Sequence, residues 1–241
     1  MGLTIHYSLA LKSRSTTKAR QLIERLRQRA MDLPLQSVGD IIDVAGESAD
    51  FQKLPKGHPH RWLMIQSTGD VQRGRYSYSV SPTRVIAFTI HPGDGCEPAN
   101  FGLCLYPSTI EIEQNGVKKR IRTGLSGWCW RSFCKTQYAS NPDCGGVNNF
   151  LRCHLSVVAL LDYAKTLGIL ADVSDEGDYW QKRDVESLAK EVGEWNEMIA
   201  GFAGKIQDQI GQKLEAPILQ YPDYEHLEAK GRDWLSKPLE E

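Results

Sequence analysis

The first residues of the chain alternate between apolar and polar side chains. Residues 3–9 (LTIHYSL) have the period of a strand with one buried face, and His6 points away from the apolar set. A helix is predicted next, with Ser15 or Thr16 as its N-cap, apolar residues at three- and four-residue spacing, and an end before Pro34. The chain therefore opens with a strand followed by a helix.

The middle of the chain is predicted to be rich in strands. Residues 38–44 and 62–66 are short apolar runs that we interpret as strands. Residues 75–123 contain four further strand patterns, and Asn115-Gly116 between the two alternating halves of the last pattern is typical of a hairpin turn. An antiparallel sheet is expected here.

A second strand, helix, strand unit follows. Residues 128–138 are predicted as a strand, residues 147–167 as an amphipathic helix, and residues 169–173 as a short strand. Residues 184–209 carry an apolar stripe at helical spacing, which predicts a long helix that must pack on another element. A short helix is expected at 224–235.

These patterns predict an α+β fold with a mixed or antiparallel sheet and a long C-terminal helix packed on it. The two strand, helix, strand units are compatible with a ferredoxin-like variant with insertions, although another open α+β sheet has the same periodicities. We expect a core domain at 1–175, with a strand-rich insertion at about 75–123, and a helical extension at 176–241.

Composition places the chain among globular proteins. Of its 241 residues, 41% are hydrophobic and 24% are charged. The start of the chain lacks the pattern of a secretory signal, and no apolar run is long enough to span a membrane. We therefore expect a cytoplasmic protein, whose six cysteines are thiols, metal ligands or nucleophiles.

Charge is segregated along the chain. Residues 12–29 contain seven basic residues and one acid, whereas the net charge of the whole chain is −1. The basic stretch is short and has no interleaved aromatic residues. Nucleic-acid binding is therefore not expected, and neither the partner nor the oligomeric state follows from the sequence.

Five of the six cysteines lie between residues 104 and 153. Cys129, Cys134, Cys144, Cys153 and His154 have the identities of zinc ligands, but no CxxC pair is present. In a regular strand Cys129 and Cys134 would also point to opposite faces. A zinc-stabilised interaction domain is therefore the weakest of three hypotheses, and no metal or cofactor is predicted.

The second hypothesis is an enzyme with a thiol nucleophile. Cys144 precedes a helix N-terminus, and Cys134 is followed by a lysine, so either thiol could have a lowered pKa. His154 is the nearby base, although it falls on the apolar stripe of its helix. Asp175 or Glu176 would orient it.

The leading hypothesis is a protein that binds a polar small ligand or a protein partner. His91, Asp94 and Glu97 lie on a glycine-rich loop at a strand end, where binding groups are commonly displayed. We expect this loop to form a binding face with the loop 139–149. The remaining predicted contributors are Lys135, Gln137, Tyr138, Trp128, Trp130 and Trp180.

Common catalytic and nucleotide-binding motifs are absent from the sequence. It contains no GxxxxGK[ST], no GxGxxG between a strand and a helix, no HExxH and no GxSxG. The sequence therefore names no reaction.

Overall fold

The computed structural model describes residues 3–114, 116–211 and 214–236. Strands in this part of the chain are β1 (Thr4–Leu11), β2 (Ser37–Val38), β3 (Ile42–Ala45), β4 (Gly69–Arg73), β5 (Tyr76–Val80), β6 (Arg84–His91), β7 (Ala99–Leu105), β8 (Thr109–Gln114), β9 (Val117–Arg122), β10 (Trp128–Lys135) and β11 (Leu170–Asp175). The α-helices are α1 (Thr16–Met31), α2 (Arg61–Gln66), α3 (Gly146–Thr166), α4 (Tyr179–Lys182), α5 (Val185–Ile210) and α6 (Tyr224–Ser236).

One antiparallel sheet organises the fold. In the described part of the chain it contains seven strands, in the order β11-β1-β10-β7-β6-β2, with β3 also paired to β6. The hairpins β4-β5 and β8-β9 form separate two-stranded sheets. The sheet thus joins strands from both ends of the core segment, and β1 lies between β10 and β11.

Helices α1 and α3 cover one face of this sheet. Ile5, Tyr7 and Leu9 of β1 point into that layer and are buried, as are Trp128 and Trp130 of β10. Ser15 caps α1 by accepting a hydrogen bond from the backbone N–H of Lys18 at 3.2 Å. The main hydrophobic core therefore lies between the sheet and these two helices.

The other face is covered over only part of its width. Helix α2 lies against β7, where Asn100 donates a hydrogen bond to the Gln66 side chain. Just beyond these two elements, Tyr106 Oη donates a hydrogen bond to the Ser67 carbonyl at 2.6 Å. His6 of β1 and Arg131 of β10 remain exposed on this same face. The strands β10, β1 and β11 therefore present an open surface beside α2.

Helices α5 and α6 pack closely against each other. An ideal Cβ on Gly231 would lie 1.9 Å from the Glu197 carbonyl oxygen, and one on Gly201 would lie 2.4 Å from the Gly231 carbonyl carbon. Glycine is required at both positions because the two backbones touch. Asn196 of α5 also accepts a hydrogen bond from Gln137 at 3.1 Å, which joins this helix to the core.

The α+β class predicted from the sequence is confirmed, and so are the bounds of the long helices to within a few residues. The ferredoxin-like assignment and the domain division stay predictions. Residues 212–213 and 237–241 of the predicted extension lie outside the described residues, as does Asn115 of the predicted turn.

The strand predicted at residues 62–66 is wrong, because this segment forms α2. Leu63 and Met64 are both buried, whereas Trp62 and Ile65 are exposed. Neighbours in a strand would point to opposite faces, so two consecutive buried residues fit a helical turn. A short apolar run does not distinguish these two structures by itself.

Candidate functional site

The two loops that were predicted to form a binding face do meet, but they pack on each other. Asn149 Nδ2 donates to the backbone carbonyls of Asp94 at 3.0 Å and Ala139 at 3.1 Å. Asp94 Oδ1 accepts a hydrogen bond from Gln36 Nε2 at 2.8 Å. These polar groups bind one another, and their contacts hold together the junction between the two loops.

The other predicted ligand-binding residues are dispersed around that junction. His91 and Glu97 are exposed, and Lys135 Nζ lies 4.5 Å from the centre of the Tyr138 ring. Gln137 is buried, where it donates to Asn196. The two grooves described below are lined by none of these residues.

Two of the aromatic residues predicted for this face are in the core. Trp128 and Trp130 are only 1% and 2% exposed, because alternation along β10 turns them towards α1 and α3. Both rings are therefore part of the core rather than of the face formed by the two loops, although Trp130 also lines the second groove described below. Tyr138 and Trp180 are half-buried.

His154 lies in the core, as its position on the apolar stripe predicted. Its Nε2 is 3.1 Å from Asp175 Oδ2 on β11, and its Nδ1 is 2.9 Å from Thr136 Oγ1. Both ring nitrogens therefore have a polar partner inside the core. His154 and the side chain of Asp175 are fully buried.

Asp175 is held as a carboxylate in this site. Burial opposes its ionisation, but hydrogen bonds from His154 and from the backbone N–H groups of Gly177 at 3.0 Å and Trp180 at 2.9 Å outweigh that effect and lower its pKa. Glu176 takes a different role, since its Oε2 accepts from the Thr4 N–H at 2.9 Å. Asp175 is therefore the residue that orients His154.

Neither thiol predicted as a nucleophile has a lowered pKa. Burial raises the pKa of Cys134, and its Sγ donates to the Glu97 carbonyl at 3.2 Å. Burial and the carboxylates of Asp94 and Asp143 raise the pKa of Cys144. Both nitrogens of His154 bind other groups, so this geometry favours a structural histidine over a catalytic base.

The zinc hypothesis lacks a set of ligands. Cys129 is half-buried on the open face, whereas Cys134 is buried on the helix-covered face. Within residues 3–114, 116–211 and 214–236, no group of three or more His, Cys, Asp or Glu side chains could hold a metal ion.

A groove on the open face of the sheet is lined by both polar and charged side chains. It has a volume of about 540 Å³. Strand register places Asp172 of β11, Ser8 of β1 and Arg131 of β10 in one row across three neighbouring strands. Gln66 of α2 forms part of the wall.

A second row lies beside the first. Phe133 of β10 stands opposite His6 of β1, and their ring centroids are 5.9 Å apart. Phe133 is 37% exposed, so part of its ring is accessible from the groove. The groove therefore combines an aromatic surface with two charged residues.

The two charges in the groove are not paired. In the described part of the chain, Arg131 and Asp172 make no ion pair and no side-chain hydrogen bond. They are two strands apart, roughly 9.5 Å at the ordinary strand spacing, with Ser8 between them. Their polar atoms are available to a ligand.

A second groove of about 320 Å³ continues along the same face. It shares Ser8, Gln66 and Arg131 with the first and extends towards Cys129 and Asp70. The open surface is thus longer than the first groove alone.

The ligand-binding residues predicted from the sequence do not include any residue that lines the first groove. The alternation that turned His6 outwards also applies to Arg131 and Phe133 in the predicted strand 128–138, so their direction was accessible from the sequence. The sequence does not show that β1, β10 and β11 are neighbours in the sheet, because these strands are far apart along the chain.

Comparison with protein-family models, with curated proteins and with solved structures finds no match for this chain. In the described residues, no helix is long and apolar enough to cross a membrane.

Proposed function

We propose that the protein binds a small zwitterionic ligand with a planar ring in the groove on the open face of the sheet. The observation that carries this proposal is the unpaired Arg131 and Asp172 on either side of Ser8. An arginine donates two parallel hydrogen bonds to a carboxylate or phosphate, and a carboxylate accepts from an ammonium group. A ligand with both charges can satisfy both residues.

The second row, formed by Phe133 and His6, provides the surface on which the ring of the ligand would stack. Phe133 and His6 lie next to the charged row on the same face, so that a planar group can stack on Phe133 while its charged end lies on Arg131. Stacked aromatic pairs contribute about 0.5–1.5 kcal/mol beyond the area they bury. This arrangement favours an aromatic ligand over an aliphatic one.

The size of the groove supports a small molecule. A volume of about 540 Å³ lies within the ordinary range for ligand sites. Asp172 would repel a phosphate backbone that followed the row across the strands, and the chain has a net charge of −1. A single-stranded nucleic acid therefore fits this surface less well.

The first test is an NMR titration of the folded protein with three related probes. L-phenylalanine has both charges and a ring, phenylacetate lacks the ammonium group, and phenethylamine lacks the carboxylate. We expect L-phenylalanine to bind most tightly and to shift backbone signals of β1, β10 and β11. Equal shifts with all three probes, or no saturable shift in these strands at millimolar concentration, would contradict the proposal.

Single variants test which charged group of the ligand each of the two residues binds. Arg131→Ala should weaken binding of L-phenylalanine and phenylacetate about tenfold or more, equivalent to ~1.4 kcal/mol, and Asp172→Asn should weaken binding of phenethylamine. Arg120→Ala removes an exposed arginine of the separate β8-β9 hairpin and is the matched control. Tighter binding of a single-stranded oligoribonucleotide, lost with Arg131→Ala, would replace this proposal by a nucleic-acid one.

A further inference from the structure

A third row of residues lies beside the charged row of the open face, on the side away from the aromatic row. Strand register places Cys129 of β10 opposite Ala10 of β1. Both side chains point to the open face, because each lies two residues from Arg131 or Ser8 along its strand. Ala171 of β11 is exposed beside them, and these three small side chains line the second groove, whose volume is about 320 Å³.

One wall of the second groove is apolar and fixed in position. Tyr106 is 7% exposed, and its Oη donates a hydrogen bond to the Ser67 carbonyl at 2.6 Å. Leu125 lies beside this ring, and an ideal Cβ on Gly69 would be 2.9 Å from Tyr106 Cε1 and 3.3 Å from Leu125 Cδ1. Both side chains therefore pack on the bare backbone of a glycine, which leaves their outer surfaces facing the groove.

A carboxylate also lines the second groove. Asp70 of β4 is exposed, its Oδ1 accepts a hydrogen bond from Ser79 Oγ at 3.3 Å, and no cation in the described ranges pairs with it. The neighbouring Val71 is buried in the main core, so the β4-β5 hairpin holds this carboxylate at the groove. The charge of Asp70 is thus available to a cationic group.

The two grooves join at Arg131, which lines both of them. Asp172 lines the first groove and Asp70 lines the second. Among the lining residues that the structure describes, Arg131 is the only lysine or arginine. A ligand that complements the whole surface therefore has one anionic group and two cationic groups.

We propose that the ligand of the open face is a free dipeptide whose first residue is aromatic and whose second residue is basic. This inference rests on the proposed function, because the first residue lies in the first groove with its ammonium group on Asp172 and its ring on Phe133. The terminal carboxylate lies on Arg131. The second side chain enters the second groove, where its stem packs on the apolar wall and its cation meets Asp70.

The dimensions of the second groove agree with one further side chain. Cys129 and Arg131 are two residues apart on β10, which is about 7 Å along an extended strand. A lysine or arginine side chain buries its hydrocarbon stem along apolar surface and keeps its charged end in water. The volume of about 320 Å³ is at the lower end of the ordinary range for ligand sites. The groove therefore favours a single residue over a longer peptide.

The test is titration calorimetry of the folded protein with L-phenylalanine and three dipeptide probes. Phenylalanyl-lysine has both cations, phenylalanyl-norleucine has the four-carbon stem without the second cation, and phenylalanyl-lysine amide lacks the terminal carboxylate. We expect phenylalanyl-lysine to bind about tenfold more tightly than L-phenylalanine and about threefold more tightly than phenylalanyl-norleucine, since the stem buries apolar surface and the exposed ion pair adds less. The amide should bind more weakly than the free dipeptide.

The outcomes separate this inference from the proposed function. If L-phenylalanine binds and phenylalanyl-lysine binds no more tightly, the dipeptide inference is overturned and the proposed function stands. If none of the four probes binds, both are overturned. Equal binding of phenylalanyl-lysine and its amide would overturn the free dipeptide in favour of the N-terminus of a longer peptide.

Asp70→Asn tests the contact with the second cation. In this variant phenylalanyl-lysine should lose its threefold advantage over phenylalanyl-norleucine, because only the lysine loses a charged partner. Asp32→Asn, which changes an exposed acid that follows α1 and lines neither groove, is the matched control. An advantage that persists in Asp70→Asn, or that is lost equally in Asp32→Asn, would contradict the contact.

Ala10→Leu tests where the second side chain lies. Because Ala10 is exposed on β1, the larger side chain should be tolerated by the fold and should occupy part of the second groove. Phenylalanyl-lysine should then lose its tenfold advantage over L-phenylalanine. Near-ultraviolet circular dichroism checks that the variant is folded, and an unchanged advantage in the folded variant would overturn the assignment to this groove.

Discussion

The two faces of β1 and β10 differ in what their residues contact. On the helix-covered face, Tyr7 and Trp130 are buried and their polar atoms donate to the carbonyl of Asn100 at 2.7 and 2.8 Å. On the open face, His6 and Arg131 are exposed beside a groove. One face stabilises the fold and the other leaves polar groups available, although the residues alternate along the same strands.

Two histidines show the same contrast. His154 is fully buried and both of its nitrogens have partners, so its ring is a structural part of the core. His6 is exposed and its recorded contact is the Phe133 ring. A histidine therefore indicates a binding surface only when its environment leaves a nitrogen accessible.

The largest effect is expected from Trp130→Ala on the covered face. Removing this side chain should leave a cavity and lower the free energy of unfolding by about 3–5 kcal/mol. Arg131→Ala, one residue along the strand, should change it by about 0.5 kcal/mol or less. Urea denaturation of the two variants measures the difference, and equal losses would contradict the assignment of faces.

A smaller loss is expected from Asp175→Asn. An asparagine keeps the size of the side chain but cannot accept all the hydrogen bonds from His154, Gly177 and Trp180, so we expect a loss of about 2–3 kcal/mol. Urea denaturation at neutral pH gives this value. Asp172→Asn on the open face is the control, and a loss of similar size there would contradict the contrast between the faces.

The pH dependence of stability should follow from the same carboxylate. The pKa of Asp175 is lower in the folded protein than in the unfolded chain, so its contribution is fully present above the unfolded pKa of about 4 and is lost as the pH falls through the folded value. The difference in unfolding free energy between wild type and Asp175→Asn should therefore narrow below about pH 4. If the difference in unfolding free energy between wild type and Asp175→Asn grew in acid, the result would contradict a lowered pKa of Asp175.

The smallest effect is expected from Phe133→Ala on the open face. Because Phe133 is partly exposed, its loss should change the free energy of unfolding little, while binding of L-phenylalanine should weaken by about 1 kcal/mol, or fivefold. Titration calorimetry measures the binding change. Weakening of the same size with Val117→Ala, an exposed apolar residue of β9, would show that the effect is not specific to the groove.

Local patterns in the sequence determined most of the secondary structure. The alternation in residues 3–9 predicted β1 and the outward direction of His6, and the helical stripes predicted α3, α5 and the burial of His154. These predictions succeeded because a long periodic pattern reports which face of an element is buried. Residues 62–66 are too few to show such a period, and their strand prediction failed.

The tertiary structure alone decided how distant residues meet. It selected Asp175 over Glu176 as the partner of His154, and it buried the Cys134 thiol against the Glu97 carbonyl. It also aligned Asp172 and Arg131 on opposite sides of Ser8. These outcomes depend on the order and register of strands that are far apart in the chain, and no local pattern of hydrophobic and polar residues specifies that order.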